Sequence, residues 1–130
     1  MRSLGLVTVV VRDYDEAIAW YRDQLGFTLL ADEPREDGKR WVVMGGAGGA
    51  ALLLARAAND AQRARIGDQA GGRVFLFLHT DDFARDHARM LAAGVSFAEA
   101  PRNEPYGTVA VFTDLYGNRW DLLQPARATG

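Results

Sequence analysis

The chain has 130 residues, a formal net charge of −2 and no cysteine. This length predicts a single domain, and a hydrophobic share of 48% is enough to bury a core. A charge so close to zero argues against a nucleic-acid partner, and the lack of cysteine excludes disulfides and thiolate chemistry. The opening apolar stretch, MRSLGLVTVVV, is too short to span a membrane. We therefore expect a cytoplasmic protein with no membrane partner.

The first half of the chain has the pattern of one βαβββ module. An apolar strand at 4–11 is followed by Asp13, which has capping-box spacing with Glu16. Apolar residues then recur at helical spacing as far as Gly26, and glycine commonly ends helices. Three further strands are predicted at 28–31, 41–44 and 50–55, separated by charged or glycine-rich turns.

A second copy of this plan follows 69 residues later. Asp82 matches Asp13 at that offset, and Gly94 matches Gly26 after a deletion of one residue. Strands are predicted at 74–79, 96–98, 108–113 and 119–124, with a helix between Asp82 and Gly94. The prediction is one α+β domain, 1–130. Its module one spans about 1–55, a linker with room for a short helix spans about 56–73, and module two spans about 74–125.

Two stretches, VVVRDYDEAIAWYRDQLGF and PYGTVAVFTDLYGNRWDLLQP, resemble motifs of a known family. With the repeat, they resemble the vicinal oxygen chelate superfamily, which includes glyoxalase I, extradiol dioxygenases and the fosfomycin- and bleomycin-resistance proteins. The resemblance covers nearly the whole chain. It implies that two βαβββ modules form an open barrel with a cleft for a small molecule. A homodimer is expected to complete the barrel, because open sheet edges and an apolar face would otherwise remain exposed.

Enzymes of this superfamily bind a divalent metal through a His on the first strand of each module and a Glu on the last. Transferred to this chain, those positions are Leu6, Phe75, Leu52 and Asp121. A divalent ion needs several oxygen or imidazole ligands, and one carboxylate does not hold it against water. The resemblance therefore implies a lost metal site, and neither a cofactor nor a catalytic residue is assigned. Asp121 is interpreted as an orphaned ligand position that accepts a hydrogen bond from a ligand or pairs with Arg119 or His79.

Alternation along the strands predicts which side chains line the cleft. These side chains form an apolar and aromatic surface with a few polar groups, as is usual for a small-molecule site. The candidate ligand-binding residues are Leu6, Thr8, Trp41, Leu52, Leu54, Phe75, Phe77, His79, Tyr106, Arg119 and Asp121. The repeat does not fix the orientation of Trp41, and Tyr106 is equally compatible with an ordinary turn. The alternative is that Phe75 and Phe77 fill a closed core.

The predicted function is metal-independent binding of a hydrophobic, polycyclic aromatic small molecule, as in the drug-sequestering resistance proteins of the superfamily. Aromatic stacking and buried area would supply the affinity. One alternative is a lyase, isomerase or oxygenase of the glyoxalase or dioxygenase type with an atypical or absent metal. Another is a structural or regulatory dimer without a ligand. Metal content tests the first alternative, and a ligand screen tests the second.

Overall fold

Two β-sheets, one in each half of the chain, form the framework of this computed structural model, which describes residues 1–127. The chain divides into two units, Met1–Gln69 and a second unit that begins at Ala70. The α+β class and the repeated strand–helix–strands plan predicted from the sequence are confirmed. No helix in the described part of the chain is long and apolar enough to cross a membrane.

The first unit contains a four-stranded sheet with the order β1-β4-β3-β2. Strands β1 and β4 run parallel, and the other neighbours run antiparallel. Its elements are β1 Leu6–Val11, α1 Tyr14–Asp23, β2 Thr28–Pro34, β3 Arg40–Gly45, β4 Ala51–Arg56 and α2 Asp60–Arg63. A 3₁₀ turn, Glu36–Gly38, joins β2 to β3. The segment predicted as a linker thus contains the short helix α2.

The second unit repeats this plan with one addition. Its elements are β5 Val74–His79, α3 Phe83–Ala92, β6 Ser96–Phe97, β7 Arg102–Glu104, β8 Gly107–Thr113 and β9 Arg119–Pro125. The sheet order is β5-β9-β8-β6, and β7 also pairs with β8. The sequence predicted a strand at 96–98, which coincides with β6, and did not predict β7. Pro101 is in the gap between them, and a proline has no backbone N–H to donate to the ladder.

The helix ends follow from local chemistry that the sequence displays. The Asp13 carboxylate accepts a hydrogen bond from the backbone N–H of Glu16 at 2.8 Å, and the Asp82 carboxylate accepts one from Arg85 at 3.1 Å. Each bond satisfies an N–H that the first helical turn leaves without a partner. Gly26 and Gly94 follow the helices with φ of 73° and 91°, a region that favours glycine. The predicted caps are confirmed.

Each sheet has one face packed against its long helix. In the first unit α1 packs against β3 and β4, and the buried side chains include Val9, Val42, Met44, Leu54 and Tyr21. In the second unit the rings of Phe83, His87, Phe97, Phe112 and Trp120 form a continuous series of contacts, with centroids 4.5 to 5.7 Å apart. We call the opposite face of each sheet, turned away from α1 or α3, its distal face.

Candidate ligand-binding site

A buried hydrogen-bond network positions the last strand of the second unit. The Asp114 carboxylate accepts hydrogen bonds from the backbone N–H groups of Tyr116 and Asn118 at 3.1 and 3.0 Å. It also accepts from Asn118 Nδ2 at 3.0 Å and from Trp120 Nε1 at 3.2 Å. Gly117 completes the turn with φ of 97°. The network anchors Trp120 on the helix side of β9, so the next residue, Asp121, lies on the distal face.

Asp121 is buried in an environment that leaves one of its oxygens without a partner. The residue is 6% exposed, and no hydrogen bond reaches Oδ1 from the described residues. Its neighbours in the sheet register are Phe77 on β5 and Val111 on β8. Buried polar atoms in folded proteins are nearly always hydrogen-bonded, so an exception calls for a physical explanation. A donor supplied by a bound molecule would provide one.

Charged side chains surround this carboxylate without neutralising it. Arg102, on β7, donates to Glu99 at 2.7 Å and to Glu104 at 2.8 Å. Its guanidinium also lies 3.4 Å from the hydroxyl of Tyr106. Because two carboxylates already engage Arg102, its charge is largely compensated. Burial therefore dominates and raises the pKa of Asp121, while Arg102 and Arg119 oppose the shift and Glu99 adds to it.

The side chains present do not fit the metal that the family resemblance implies. In residues 1–127, His, Asp and Glu side chains do not gather in a group of three or more that could hold a metal ion. Leu6, Phe75 and Leu52 have no donor atoms at the transferred ligand positions, which leaves Asp121 alone. A divalent cation in a protein is held by several ligands, usually carboxylate oxygens and imidazole nitrogens.

The structure groups several of the predicted residues on the distal face of the second sheet. Phe77 pairs with Asp121, and His79 pairs with Leu123 one step further along the strands. Phe77 is 58% exposed, so its ring is available for contact. Arg119 lies on β9 two residues before Asp121 and is exposed. Phe75 lies at the irregularity between Val74 and Leu76, and its side chain is half-buried.

Tyr106 lies at the turn between β7 and β8. It is 52% exposed, and its hydroxyl is close to Arg102. The ring therefore lies within the same unit as Asp121, at the end of the sheet where β7 and β8 meet. This placement fits both the predicted contact role and an ordinary turn residue.

In the first unit the distal face differs from the sequence prediction at two positions. Thr8 pairs with Leu53, and Val43 pairs with Leu53 from the other side. Leu52 and Leu54 pair instead with Val7 and Val9 and are buried on the α1 side. The expectation that Leu52 and Leu54 share a face with Leu6 and Thr8 is therefore wrong. The reason is that the repeat offset falls from 69 to 68 after the one-residue deletion near Gly26, so Leu53 corresponds to Asp121.

Leu6, Thr8 and Trp41 do lie on the distal face of the first sheet. Leu6 and Thr8 are exposed, and they alternate along β1 with the half-buried Val7 and the fully buried Val9. Trp41 lies two residues before Val43 on β3, so it shares that face, and 37% of its surface is exposed. The structure thus fixes an orientation for Trp41 that the repeat left open.

Sequence reasoning missed the charged cluster of Glu99, Arg102 and Glu104. No strand is predicted at 102–104 from the sequence, although Arg102 and Glu104 lie two residues apart, which is the spacing of side chains on one face of a strand. That alternation is a weak signal in a stretch of three residues. It becomes informative only when β8 is known to pair with it.

Comparison with known proteins identifies relatives over almost the full length. A model of the Glyoxalase/Bleomycin resistance protein/Dioxygenase superfamily matches residues 3–122. An uncharacterized protein of Shewanella frigidimarina (strain NCIMB 400) is 55% identical over 126 residues, which cover 95% of this chain and 93% of the relative. The protein YurT of Bacillus subtilis (strain 168), also uncharacterized, is 28% identical and covers 94% of this chain.

Solved structures show the same architecture. The crystal structure of UcmS2 superimposes with a TM-score of 0.79 at 30% identity, covering 95% of this chain and 98% of that chain. TnmS3, an antibiotic binding protein from Streptomyces sp. CB03234, superimposes with a TM-score of 0.77 at 32% identity, covering 97% and 98%. Both comparisons extend over both units of the chain.

Proposed function

We propose a binding function for this chain, which belongs to the Glyoxalase/Bleomycin resistance protein/Dioxygenase superfamily. The protein binds a hydrophobic, aromatic small molecule stoichiometrically and without a metal. The distal face of the second sheet supplies the contacts: Phe77 offers aromatic surface, and Asp121 accepts a hydrogen bond. Tyr106 adds a second exposed ring at the turn between β7 and β8. Binding without chemical conversion would amount to sequestration, and a polycyclic antibiotic is the ligand class that we propose.

The buried, unpaired Oδ1 of Asp121 is the observation that supports this proposal most directly. Leaving such an atom without a partner costs about 1–3 kcal/mol of stability. A hydroxyl or N–H group of a ligand would recover that energy and fix the orientation of the molecule. The exposed ring of Phe77, the register neighbour of Asp121, offers a stacking surface worth about 0.5–1.5 kcal/mol beyond its buried area.

Similar proteins also support a binding function. TnmS3 is described as an antibiotic binding protein and shares 32% of its sequence with this chain over nearly the whole length of both. The transferred metal positions hold leucine and phenylalanine, which suits binding better than metal-assisted catalysis. An enzyme of the glyoxalase or dioxygenase type would need ligands from a different set of residues.

Paired probes test the role of Asp121. Calorimetric titration with 2-naphthol and with 2-methoxynaphthalene compares two flat molecules, of which the first alone can donate a hydrogen bond. We expect the naphthol to bind about tenfold more tightly, which corresponds to 1.4 kcal/mol. Asp121→Leu should remove this preference for the naphthol. Phe77→Ala should weaken the binding of both probes about tenfold. Asp60→Ala, at an almost fully exposed carboxylate on α2, serves as the matched control.

Equal affinities of the two probes for the parent protein would contradict the role of Asp121. No measurable binding of either probe, together with none in a screen of polycyclic aromatic natural products, would reject the binding function. Elemental analysis of untagged protein tests the absence of a metal. About one equivalent of Zn, Fe, Mn or Ni retained through dialysis would favour the enzyme alternative.

A second copy of the chain is the partner that we propose for the remaining exposed apolar surface. Leu6 on β1 and Leu29 and Leu30 on β2 are exposed, and these two strands are the edges of the first sheet. A second copy would cover open edges and apolar side chains of this kind. Sedimentation at micromolar concentration should give twice the chain mass. A monomer at high concentration would contradict the homodimer.

A further inference from the structure

The first unit contains a pocket with a chemistry opposite to that of the Asp121 site. The pocket has a volume of about 310 Å³ and lies where β3 begins and β4 ends. This volume is at the lower end of the range that small-molecule sites occupy. Four cationic side chains and two aromatic rings line it: Arg35, Lys39, Arg40, Arg56, Tyr14 and Trp41. No carboxylate is among its lining residues.

Two of the four cations are neutralised by carboxylates beside the pocket. Arg40 forms ion pairs with Asp32 at 2.7 Å and with Asp15 at 2.9 Å. Arg35 pairs with Glu33 at 3.0 Å. These three acidic groups face the arginines from β2 and α1, so Arg35 and Arg40 contribute little unbalanced charge.

The other two cations, Lys39 and Arg56, have no carboxylate partner within 4 Å among residues 1–127. Glu36 and Asp37 are close in sequence, but they lie in the 3₁₀ turn and do not line the pocket. Positive charge is therefore unbalanced at the pocket wall, where a ligand would meet it. An anionic group entering the pocket would supply the missing counter-charge.

Arg56 is held in place by contacts that leave most of its donors unused. Its Nη2 donates to the carbonyl oxygen of Gly38 at 3.2 Å, and its guanidinium lies 5.3 Å from the ring centroid of Tyr14. Gly38 has φ of 74°, and a Cβ at this position would lie 3.3 Å from Nη2. A guanidinium has five N–H donors in a rigid fork, so a positioned one is well suited to bind an oxyanion.

Trp41 also lines the pocket and gives it an exposed aromatic surface. The residue is 37% exposed, and the guanidinium of Arg35 lies 5.8 Å from the centroid of its ring. Leu53 and Ala55 contribute apolar lining from β4. The combination of an aromatic plane with two unbalanced cations matches a flat ring that bears an anionic oxygen group.

We infer that this pocket is a binding site for an aromatic anion, with a carboxylate or phosphate group held by Arg56 and Lys39 and a ring stacked on Trp41. The site is built from residues of the first unit alone and does not depend on Asp121 or on the function proposed above.

Matched probes test the site. Two-dimensional ¹H–¹⁵N NMR, with the Trp41 indole signal assigned through Trp41→Phe, follows titration with 2-naphthoate, 2-naphthyl phosphate and the neutral 2-naphthamide. We expect an anion to shift the Trp41 signal and to bind at least about tenfold more tightly than the amide. A preference for naphthoate identifies a carboxylate site, and a preference for the phosphate ester identifies a phosphate site. Raising the salt concentration should weaken the binding of the anionic probes and leave the binding of the amide unchanged.

Variants separate the pocket from general surface charge. Arg56→Gln and Lys39→Gln should each lower the affinity for the preferred anion about tenfold or more. Arg63→Gln, which removes an exposed cation of α2 outside the pocket lining, should not. Asp121→Leu should leave anion binding unchanged, so failure of the first proposal does not obscure this one. Equal binding of anion and amide, or unchanged anion binding in folded Arg56→Gln and Lys39→Gln, would overturn the inference.

Discussion

The two units share one plan but place opposite chemistry at equivalent positions. Thr8 lies 69 residues before Phe77, and each pairs with the last strand of its unit, at Leu53 and at Asp121. The first unit therefore has leucine where the second has a buried carboxylate with an unpaired oxygen. The unpaired oxygen of Asp121 destabilises the second unit, and Leu53 does not destabilise the first unit in this way. Such a destabilising residue is typical of a position that contacts a ligand.

The turns before the last strands show the same contrast. Gly49 and Gly117 occupy matching positions with φ of 77° and 97°. In the second unit Asp114 gathers four donors around the turn, whereas the matching residue of the first unit is Gly46, which has no side chain to do so. Glycine conformation is thus common to both turns, and the buried network is specific to the turn that leads to Asp121.

The largest expected effect comes from breaking that network. Asp114→Ala removes the acceptor of several buried donors, and each unsatisfied donor costs about 1–3 kcal/mol. We expect a loss of at least about 3 kcal/mol in the free energy of unfolding, measured by urea denaturation. The exposed Asp60→Ala should change stability by less than about 0.5 kcal/mol. A similarly small change for Asp114→Ala would show that the turn does not need its carboxylate.

Exchanging the equivalent residues tests the contrast between Leu53 and Asp121 directly. Asp121→Leu should raise the free energy of unfolding by about 1–2 kcal/mol, because the unpaired carboxylate no longer loses its hydration. Leu53→Asp should lower it by about 2 kcal/mol, since it removes apolar contacts and places a carboxylate on a partly buried face. Thermal and urea denaturation measure both. Destabilisation by Asp121→Leu would mean that Asp121 already has a favourable partner.

A smaller effect depends on pH. Because burial raises the pKa of Asp121, the folded protein binds a proton there more tightly than the unfolded chain, and the charged form destabilises the fold. Asp121→Asn should therefore be more stable than the parent at pH 7. The difference should shrink as the pH falls toward the ordinary aspartate pKa of 3.8, where the parent takes up the proton.

Melting temperatures measured across this pH range provide the check, with Asp60→Asn as the control for the loss of one charge. A parent protein that instead loses stability relative to Asp121→Asn on acidification would indicate a pKa lowered by Arg102 or Arg119.

The smallest effect concerns Arg40 in the first unit and Arg102 in the second, each of which bridges two carboxylates. Arg40 joins α1 to β2 through Asp15 and Asp32, whereas the partners of Arg102 lie within three residues of it. Exposed ion pairs contribute about 0.2–1 kcal/mol. Arg40→Gln should cost about 1 kcal/mol and Arg102→Gln about half as much, with both losses reduced at high salt. Equal losses would show that bridging separate elements adds nothing.

The sequence by itself determined the elements and their repetition, because their signals are local. Asp13 and Asp82 cap the first turns of their helices, and Gly26 and Gly94 take the positive φ that follows the helix ends. Such effects act between residues three or four apart and need no tertiary context. The orientation of Trp120 away from Asp121 followed in the same way from strand alternation.

Tertiary structure decided which side chains share a face and which charges remain unpaired. The shift of register that places Leu53 rather than Leu52 opposite Thr8 follows from a single deleted residue, and one residue reverses every side chain of a strand. The pairing of Arg102 with Glu99 and Glu104 and the burial of Asp121 depend on strands that meet only in the folded sheet. The position of Arg56 likewise depends on Gly38, eighteen residues away in sequence, whose carbonyl oxygen accepts a hydrogen bond from Arg56 Nη2 at 3.2 Å.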